Sequence, residues 1–448
     1  MATDIASFAE QALSALIAAL NQPDLARFEA FVAERSAIPD AWPRWASFRR
    51  GYAPIALVST TATEQSSVTA VIEDHWNRFL EIKLKVEAAP PHRIVGANVT
   101  PVSRPEAALP ARMSWPEVER ALAAKLAQSV DAGWFSGTLV VSRGGRTLFE
   151  AACGHADREA QTPNSFDTRF RMGSMNKMIT GVAVLQLAQG GAIGIDDKVG
   201  RHLPDYPNAA FAERVTVRHL LNHTAGAGDF FGSAFREHRL RLRDPADYVA
   251  LLGDRPPEFE PGSQYRYANY GFILLGRLVE AASGQSYDDY VAAHVLAAAG
   301  MTATGAEPET VDVPGRAVGY MDTPTGVVRN DDTLPYRGTP AGGGYSTVGD
   351  LVRFAEALMS GRLVDEGHMR LLGEGGASIG PGAWYGAGFA EAHESGARSL
   401  GHTGGAPGMN GTLLAFPYTG YIVAALSNGD PPQASSLGGF IGQRLPAA

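Results

Sequence analysis

Met172-Gly173-Ser174-Met175-Asn176-Lys177 is the stretch on which the reading of this chain turns. A serine hydroxyl is a poor nucleophile until a base removes its proton. Helical spacing i, i+3 sets Ser174 and Lys177 on one face, one turn apart. The run from Ser174 to Gln189 reads as a helix, ended by Gly190-Gly191. With Ser174 at its N-terminus, unpaired backbone N–H groups favour negative charge developing there. A lysine held in such a site loses its proton more easily and becomes a base. The whole chain holds only five lysines: Lys83, Lys85, Lys125, Lys177 and Lys198. Alone, the same pattern also fits a capping serine followed by a surface lysine.

Two further stretches lie downstream. Tyr267-Ala268-Asn269 follows Phe259-Glu260-Pro261-Gly262. A phenol beside a lysine ammonium gives up its proton more readily, and an Asn amide donates and accepts at once. Read by itself, this is a turn before a helix at Tyr270 to Ser283. The second stretch is Gly401-His402-Thr403-Gly404-Gly405, ahead of Ala406-Pro407-Gly408. Its glycines let backbone approach a substrate and aim N–H groups at an oxyanion.

Ser174-x-x-Lys177, then Tyr267-x-Asn269, then His402-Thr403-Gly404 resemble the signature of the serine β-lactamase and penicillin-binding-protein superfamily. The likeness is strongest to its class C-like branch, with the family VIII esterases and D-aminopeptidases. It covers about residues 115 to 448. Val217-Arg218-His219-Leu220-Leu221-Asn222-His223-Thr224-Ala225-Gly226 and Ala341-Gly342-Gly343-Gly344-Tyr345-Ser346-Thr347, leading to Asp350-Leu351, resemble it as well.

The resemblance implies a serine hydrolase working through an acyl-enzyme. Ser174 is then the nucleophile, and Lys177 and Tyr267 share the general-base work, with Tyr267 phenolate-like beside Lys177. Backbone N–H groups of Ser174 and Gly405 form the oxyanion hole. Asn269 orients substrate near Lys177. His402 stands where the β-lactamases keep a lysine. Imidazole is mostly neutral at pH 7 and lysine is a fixed cation, so this exchange favours neutral esters or amides over anionic substrates. A carboxylesterase-type activity is expected, with a β-lactamase or a D-amino-acid peptidase or amidase as the alternative. The non-enzyme alternative is a penicillin-binding-like module with little turnover.

Strands are expected at Thr138 to Ser142 and Arg146 to Cys153, and again at Gly411 to Phe416 and Tyr421 to Ser427. Helices fall between them, at Val217 to His223, Tyr287 to Ala299 and Thr347 to Met359 among others, and one closes the chain at Pro432 to Leu445. Strands at both ends with helices between predict an α+β fold. One antiparallel sheet is joined from both ends of the domain, flanked by helices, with a mostly helical subdomain inserted. Residues 227 to 252, with Phe230, Phe231 and Phe235, read as a lid, and Trp384 and Tyr385 as further walls of a cleft.

Pro90, Pro91, Pro101, Pro105, Pro110 and Pro116 mark a join, and the boundary is set near residue 106. The predicted domains are thus 1–106 and 107–448. In the first, Ile5, Phe8, Ala9, Leu13, Leu16, Ile17 and Leu20 recur at helical spacing, and a second helix runs from Pro23 to Ser36. Strands follow at Ile55 to Thr61, Val68 to Trp76, Phe79 to Glu87 and His92 to Val102. Helices followed by a curved antiparallel sheet resemble the small cone-shaped NTF2-like fold in element order. A lid, a spacer or a surface for homo-oligomers is the expected role.

The chain has 448 residues, 45% hydrophobic and 19% charged, which is globular composition. Its 38 Lys+Arg against 47 Asp+Glu give a net charge of −9, which argues against nucleic acid as a partner. Cys153 is the single cysteine, so no disulfide framework or Cys-rich zinc site forms. It reads as a small buried hydrophobe. No apolar run approaches the ~20 residues of a membrane span. Met1 to Leu20 carries Asp4 and Glu10 and no basic start, so it does not read as a signal peptide, and the compartment is left open. No cofactor and no metal are expected. His219 and His223 have zinc-helix spacing but enclose Leu-Leu-Asn, with no glutamate base. Ala425-Leu426-Ser427-Asn428-Gly429 resembles a degraded nucleophile elbow, yet no histidine follows it, as that chemistry requires.

Overall fold

The computed structural model describes residues 7–323, 326–394 and 396–447. They form two compact units, Met1–Pro110 and Ala111–Ala448. The proline-marked boundary was expected near residue 106.

The first unit opens with three helices: α1 (Phe8–Leu20), α2 (Leu25–Arg35) and α3 (Ala41–Tyr52). Ser7 caps α1 through a reciprocal pair of bonds with Glu10. Asp4 and Ile5 lie outside the described residues. Four strands follow as an antiparallel meander: β1 (Ile55–Thr63), β2 (Ser67–Asp74), β3 (Phe79–Val86) and β4 (Ile94–Val102). Strand β3 shows why. Ile82 and Leu84 are fully buried, while Lys83 and Lys85 alternate with them on the other face. The buried face packs on Leu13, Leu16, Phe28 and Trp45 of the three helices. Helix α3, with Pro43 in its first turn, is an element the sequence reading did not mark.

The second unit is built on one eight-stranded antiparallel sheet. Its strands are β5 (Gly137–Arg143), β6 (Arg146–Cys153), β7 (Ala377–Gly380), β8 (Ala383–Gly386), β9 (Phe389–Glu394), β10 (Ala397–Ala406), β11 (Met409–Phe416) and β12 (Tyr421–Ser427). Their order is β7-β8-β9-β10-β11-β12-β5-β6. The early hairpin therefore joins the late one, with Val423 opposite Val141, as the strand positions predicted. The central strands are buried on both faces. Leu139, Val141, Val423 and Ala425 face α4 (Trp115–Asp131) and α8 (Gln433–Gly442). Val140, Ala424 and Leu426 face the other layer, which holds α5 (Asn176–Gln189), α6 (Asn269–Ser283) and α7 (Val348–Met359). Such two-sided strands read as unbroken apolar runs rather than alternating ones.

Helix α5 has almost no polar face; eleven of its residues from Asn176 to Leu187 are buried. It lies backbone against backbone on the sheet. A Cβ on Gly181 would stand 1.8 Å from the Ala387 carbonyl oxygen between β8 and β9. No side chain fits there, so glycine sets the spacing.

Candidate active site

Ser174 does not sit on α5 itself. It lies in a single 3-10 turn, Gly173–Met175, that feeds the helix. Such a turn still presents successive residues at near-helical spacing. The Lys177 ammonium nitrogen Nζ reaches Ser174 Oγ at 3.3 Å. Lys177 is 0% exposed. It also donates to Asn269 Oδ1 at 2.7 Å and, in a short contact, to the Ala341 carbonyl. All three acceptors are uncharged, and among the described residues Lys177 forms no ion pair. Burial therefore disfavours its charged form, and its pKa falls to about 7. The carboxylate of Asp229 opposes that fall from a distance.

Tyr267 stands over Lys177, whose Nζ lies 4.7 Å from the ring centroid. Its titration corrects the phenolate expectation. Burial pushes the phenol up, and the nearby Ser174 hydroxyl only partly offsets this. The enclosed environment acts in opposite directions on the two groups: it favours neutral amine and neutral phenol alike.

The strand bearing His402 and Gly405 completes the other wall. Strand β9 pairs with β10 only as far as Gly401, opposite Ala390. Beyond that point β10 lies against the nucleophile turn. A Cβ on Gly404 would meet the Met172 carbonyl oxygen at 1.8 Å, and one on Gly173 would meet Gly405 N at 2.9 Å. Gly173 itself has φ +54°, the left-handed region that glycine adopts most easily. The sequence is rich in glycine here because main chains touch. His402 does not reach the open cleft as a cation. Its Nδ1 bonds the Thr403 carbonyl in a short contact, and its Nε2 lies 3.0 Å from the Tyr385 hydroxyl. Burial, and then the charge on Lys177, hold its pKa down to about 3.

These residues border a cleft of about 580 Å³. Ser174, Tyr267, Asn269 and Gly405 line it, with Phe230, Phe231 and Phe235 as an apolar wall and Arg236 and Arg239 beside them. The expected lid segment thus contributes directly. Trp384 does not: its ring packs edge-on against His393. Tyr385 lies behind His402 rather than in the cleft.

Several positioning residues escaped the sequence reading. Asn410 donates to the Gly404 carbonyl at 2.7 Å and accepts from Ser435 N–H at 2.8 Å, which fixes the strand at Gly405. Asn176 donates to the Thr339 carbonyl at 2.6 Å, and Gly343 N–H to the Gly173 carbonyl at 3.2 Å. These bonds tie the 339–343 loop to the nucleophile turn. Asp229 accepts from Asn269 Nδ2 at 2.8 Å. Its signal was present, an acid directly after Gly226-Ala227-Gly228.

The rival sites fall apart in space. His219 Nδ1 takes the Thr216 N–H at 3.3 Å, whereas His223 is buried against Tyr267. Among the described residues no three metal-ligating side chains converge, and no helix is long and apolar enough to cross a membrane. Ser427 is fully buried and donates to Gln433. Burial raises the Cys153 thiol.

Known proteins resemble this chain in sequence and in fold. The Beta-lactamase family model matches residues 122–445. Esterase EstB of Burkholderia gladioli is 32% identical over 291 residues, covering 55% of this chain and 73% of EstB. Penicillin-binding protein 4* of Bacillus subtilis is 32% identical over 195 residues. That match spans 42% of each protein. The crystal structure of a penicillin-binding protein from Bacillus halodurans superposes with a TM-score of 0.65 at 30% identity, over 71% of this chain and 99% of that one.

Proposed function

From one premise, that this chain belongs to the Beta-lactamase family, we propose that it hydrolyses a neutral carboxylic ester through an acyl-enzyme on Ser174. The fold is β-lactamase-like, and the chain is a serine hydrolase of the β-lactamase and penicillin-binding-protein superfamily. The observation that carries the proposal is Lys177. It is fully buried and forms no ion pair among the described residues, its pKa is lowered to about 7, and it lies 3.3 Å from Ser174 Oγ.

The chemistry follows from those groups. The neutral Lys177 amine takes the Ser174 proton as Oγ attacks the acyl carbon. The carbonyl oxygen becomes an oxyanion, held by the backbone N–H groups of Ser174 and Gly405. Burial keeps the proton on Tyr267 at neutral pH, and its ring stands over Lys177 on the cleft that Ser174 also lines. Tyr267 donates toward the leaving oxygen, and the proton held by Lys177 replaces the one it gives. Water then gives a proton to the regenerated Lys177 amine as its oxygen attacks the acyl carbon; the Ser174 Oγ–acyl bond breaks, Oγ takes that proton back from Lys177, and the acid leaves. Asn269 holds Lys177 in place and offers its amide to the substrate.

Three features favour a neutral acyl group. His402 is uncharged at physiological pH, since its pKa is held at about 3. The nearest wall is aromatic, formed by Phe230, Phe231 and Phe235. EstB is named as an esterase. The two guanidiniums, Arg236 and Arg239, stand on that same wall of the cleft.

The test is p-nitrophenyl butyrate hydrolysis by wild type and Ser174→Ala, beside a D-aminoacyl p-nitroanilide and a β-lactam. Turnover of the ester by wild type alone is expected. Equal turnover by the mutant removes Ser174 from the mechanism. Faster turnover of the anilide or the β-lactam replaces the ester reading with an amidase or β-lactamase one. A trapped acyl group without turnover, seen by intact mass, makes the protein a binding module.

A further inference from the structure

We infer that Asp229 is a positioning residue that acts through Asn269, holding the amide in the orientation Lys177 needs and setting the pH at which Lys177 becomes a base. This rests on the proposed role of Lys177.

A run of three hydrogen bonds joins the four groups. Asn269 Nδ2 donates to Asp229 Oδ2 at 2.8 Å, Lys177 Nζ donates to Asn269 Oδ1 at 2.7 Å, and Nζ reaches Ser174 Oγ at 3.3 Å. An Asn side chain has one accepting end and one donating end. If the amide were reversed, its NH₂ would face the Lys177 ammonium, donor against donor. A carboxylate accepts only, so Asp229 excludes that reversal. Asn269 is 9% exposed, at the start of α6, and Asp229 is its side-chain partner on the outer side.

Asp229 is itself anchored. Its Oδ1 accepts the Phe231 N–H at 3.0 Å, and its carbonyl accepts from Arg255 Nη1 at 2.7 Å. Glu258 approaches the neighbouring Gly228 and pairs with Arg266. Around Lys177 the other titratable groups are Tyr267, His223 and His402. Burial keeps the first a phenol and the two imidazoles uncharged. Among the described residues Asp229 supplies an acidic charge that acts on Lys177, and it favours the ammonium. The carboxylate both aims the amide and holds the lysine proton.

The experiment is the pH dependence of kcat/KM and kcat on p-nitrophenyl butyrate for wild type, Asp229→Asn and Asp229→Leu, each referred to competent sites counted by a serine-reactive phosphonate. Both variants remove the charge, so both are expected to move the acid limb down by about one pH unit. Asp229→Asn keeps an acceptor for Asn269, so its plateau kcat drops less than about tenfold; Asp229→Leu frees the amide and drops it further, with KM little changed. An acid limb that stays in place in both variants overturns the electrostatic link. Equal plateaus in the two variants overturn the orienting role. If wild type has no acid limb near neutrality, the base assignment to Lys177 has failed instead, and the two failures are told apart.

Discussion

Asp74 and Lys177 are both buried ionisable side chains, one in each compact unit, and the molecule treats them oppositely. Asp74 is 3% exposed and accepts the Trp76 N–H at 2.9 Å, the Arg78 N–H at 2.8 Å and Arg78 Nε at 2.6 Å. Its charge is answered by a guanidinium and two backbone donors, which stitch the turn between β2 and β3. Lys177 is answered by a hydroxyl, an amide oxygen and a carbonyl. Burial with no carboxylate in direct contact, only Asp229 at a distance, leaves the proton loosely held. A satisfied buried charge makes structure, and an unsatisfied one makes a base.

Substitutions can break or sharpen this contrast. The largest effect is expected from Ser174→Ala, with ester turnover falling at least ~10³-fold in steady-state assays. Lys177→Ala and Tyr267→Phe each lower kcat by at least ~10²-fold, since general-base and proton-relay steps are worth that much. Near-normal turnover in either removes its assigned role. In wild type, kcat/KM is expected to be lost as pH falls through about 7, because the ammonium form of Lys177 cannot accept a proton. A limb near 10 would mark an ordinary, solvated lysine. His402→Lys places a second cation in the buried wall. It is expected to push the acid limb lower and to raise the preference for carboxylate-bearing over neutral esters about tenfold, read as a ratio of kcat/KM values. The smallest effect on activity belongs to Asp74→Ala. Thermal unfolding should show a loss of about 1–3 kcal/mol of stability, with turnover per folded molecule unchanged. Lost turnover there would mean that the first unit takes part in the chemistry.

Much of this was legible beforehand. The i, i+3 pair of Ser174 and Lys177, the Tyr267-x-Asn269 stretch and the two hairpins depend on local spacing, and local spacing is written in the chain. The strands from Ala377 to Glu394 were not marked: they are four to six residues long and broken by glycine. Asp229 was passed over because its partner, Asn269, is forty residues away. The phenolate expectation for Tyr267 weighed the neighbouring lysine and omitted burial, a property of the fold rather than of any short stretch. Trp384 was placed on the cleft for its aromatic character alone, and strand alternation turns it toward His393.

The glycine contacts beneath the nucleophile have an evolutionary consequence. Gly181 against Ala387 and Gly404 against Met172 join main chain to main chain. Such contacts have no rotamers and no side-chain volumes to drift. Those glycines fix how closely the main chain of the nucleophile turn lies against strand β10 and how closely α5 lies against the sheet. The wall of the 230–239 segment is made of side chains, and of these Phe231 and Arg236 are exposed while Phe230 and Phe235 belong to the core. Libraries that diversify Phe231 and Arg236 while leaving the glycines alone should therefore change which ester is taken without losing the ability to cleave one.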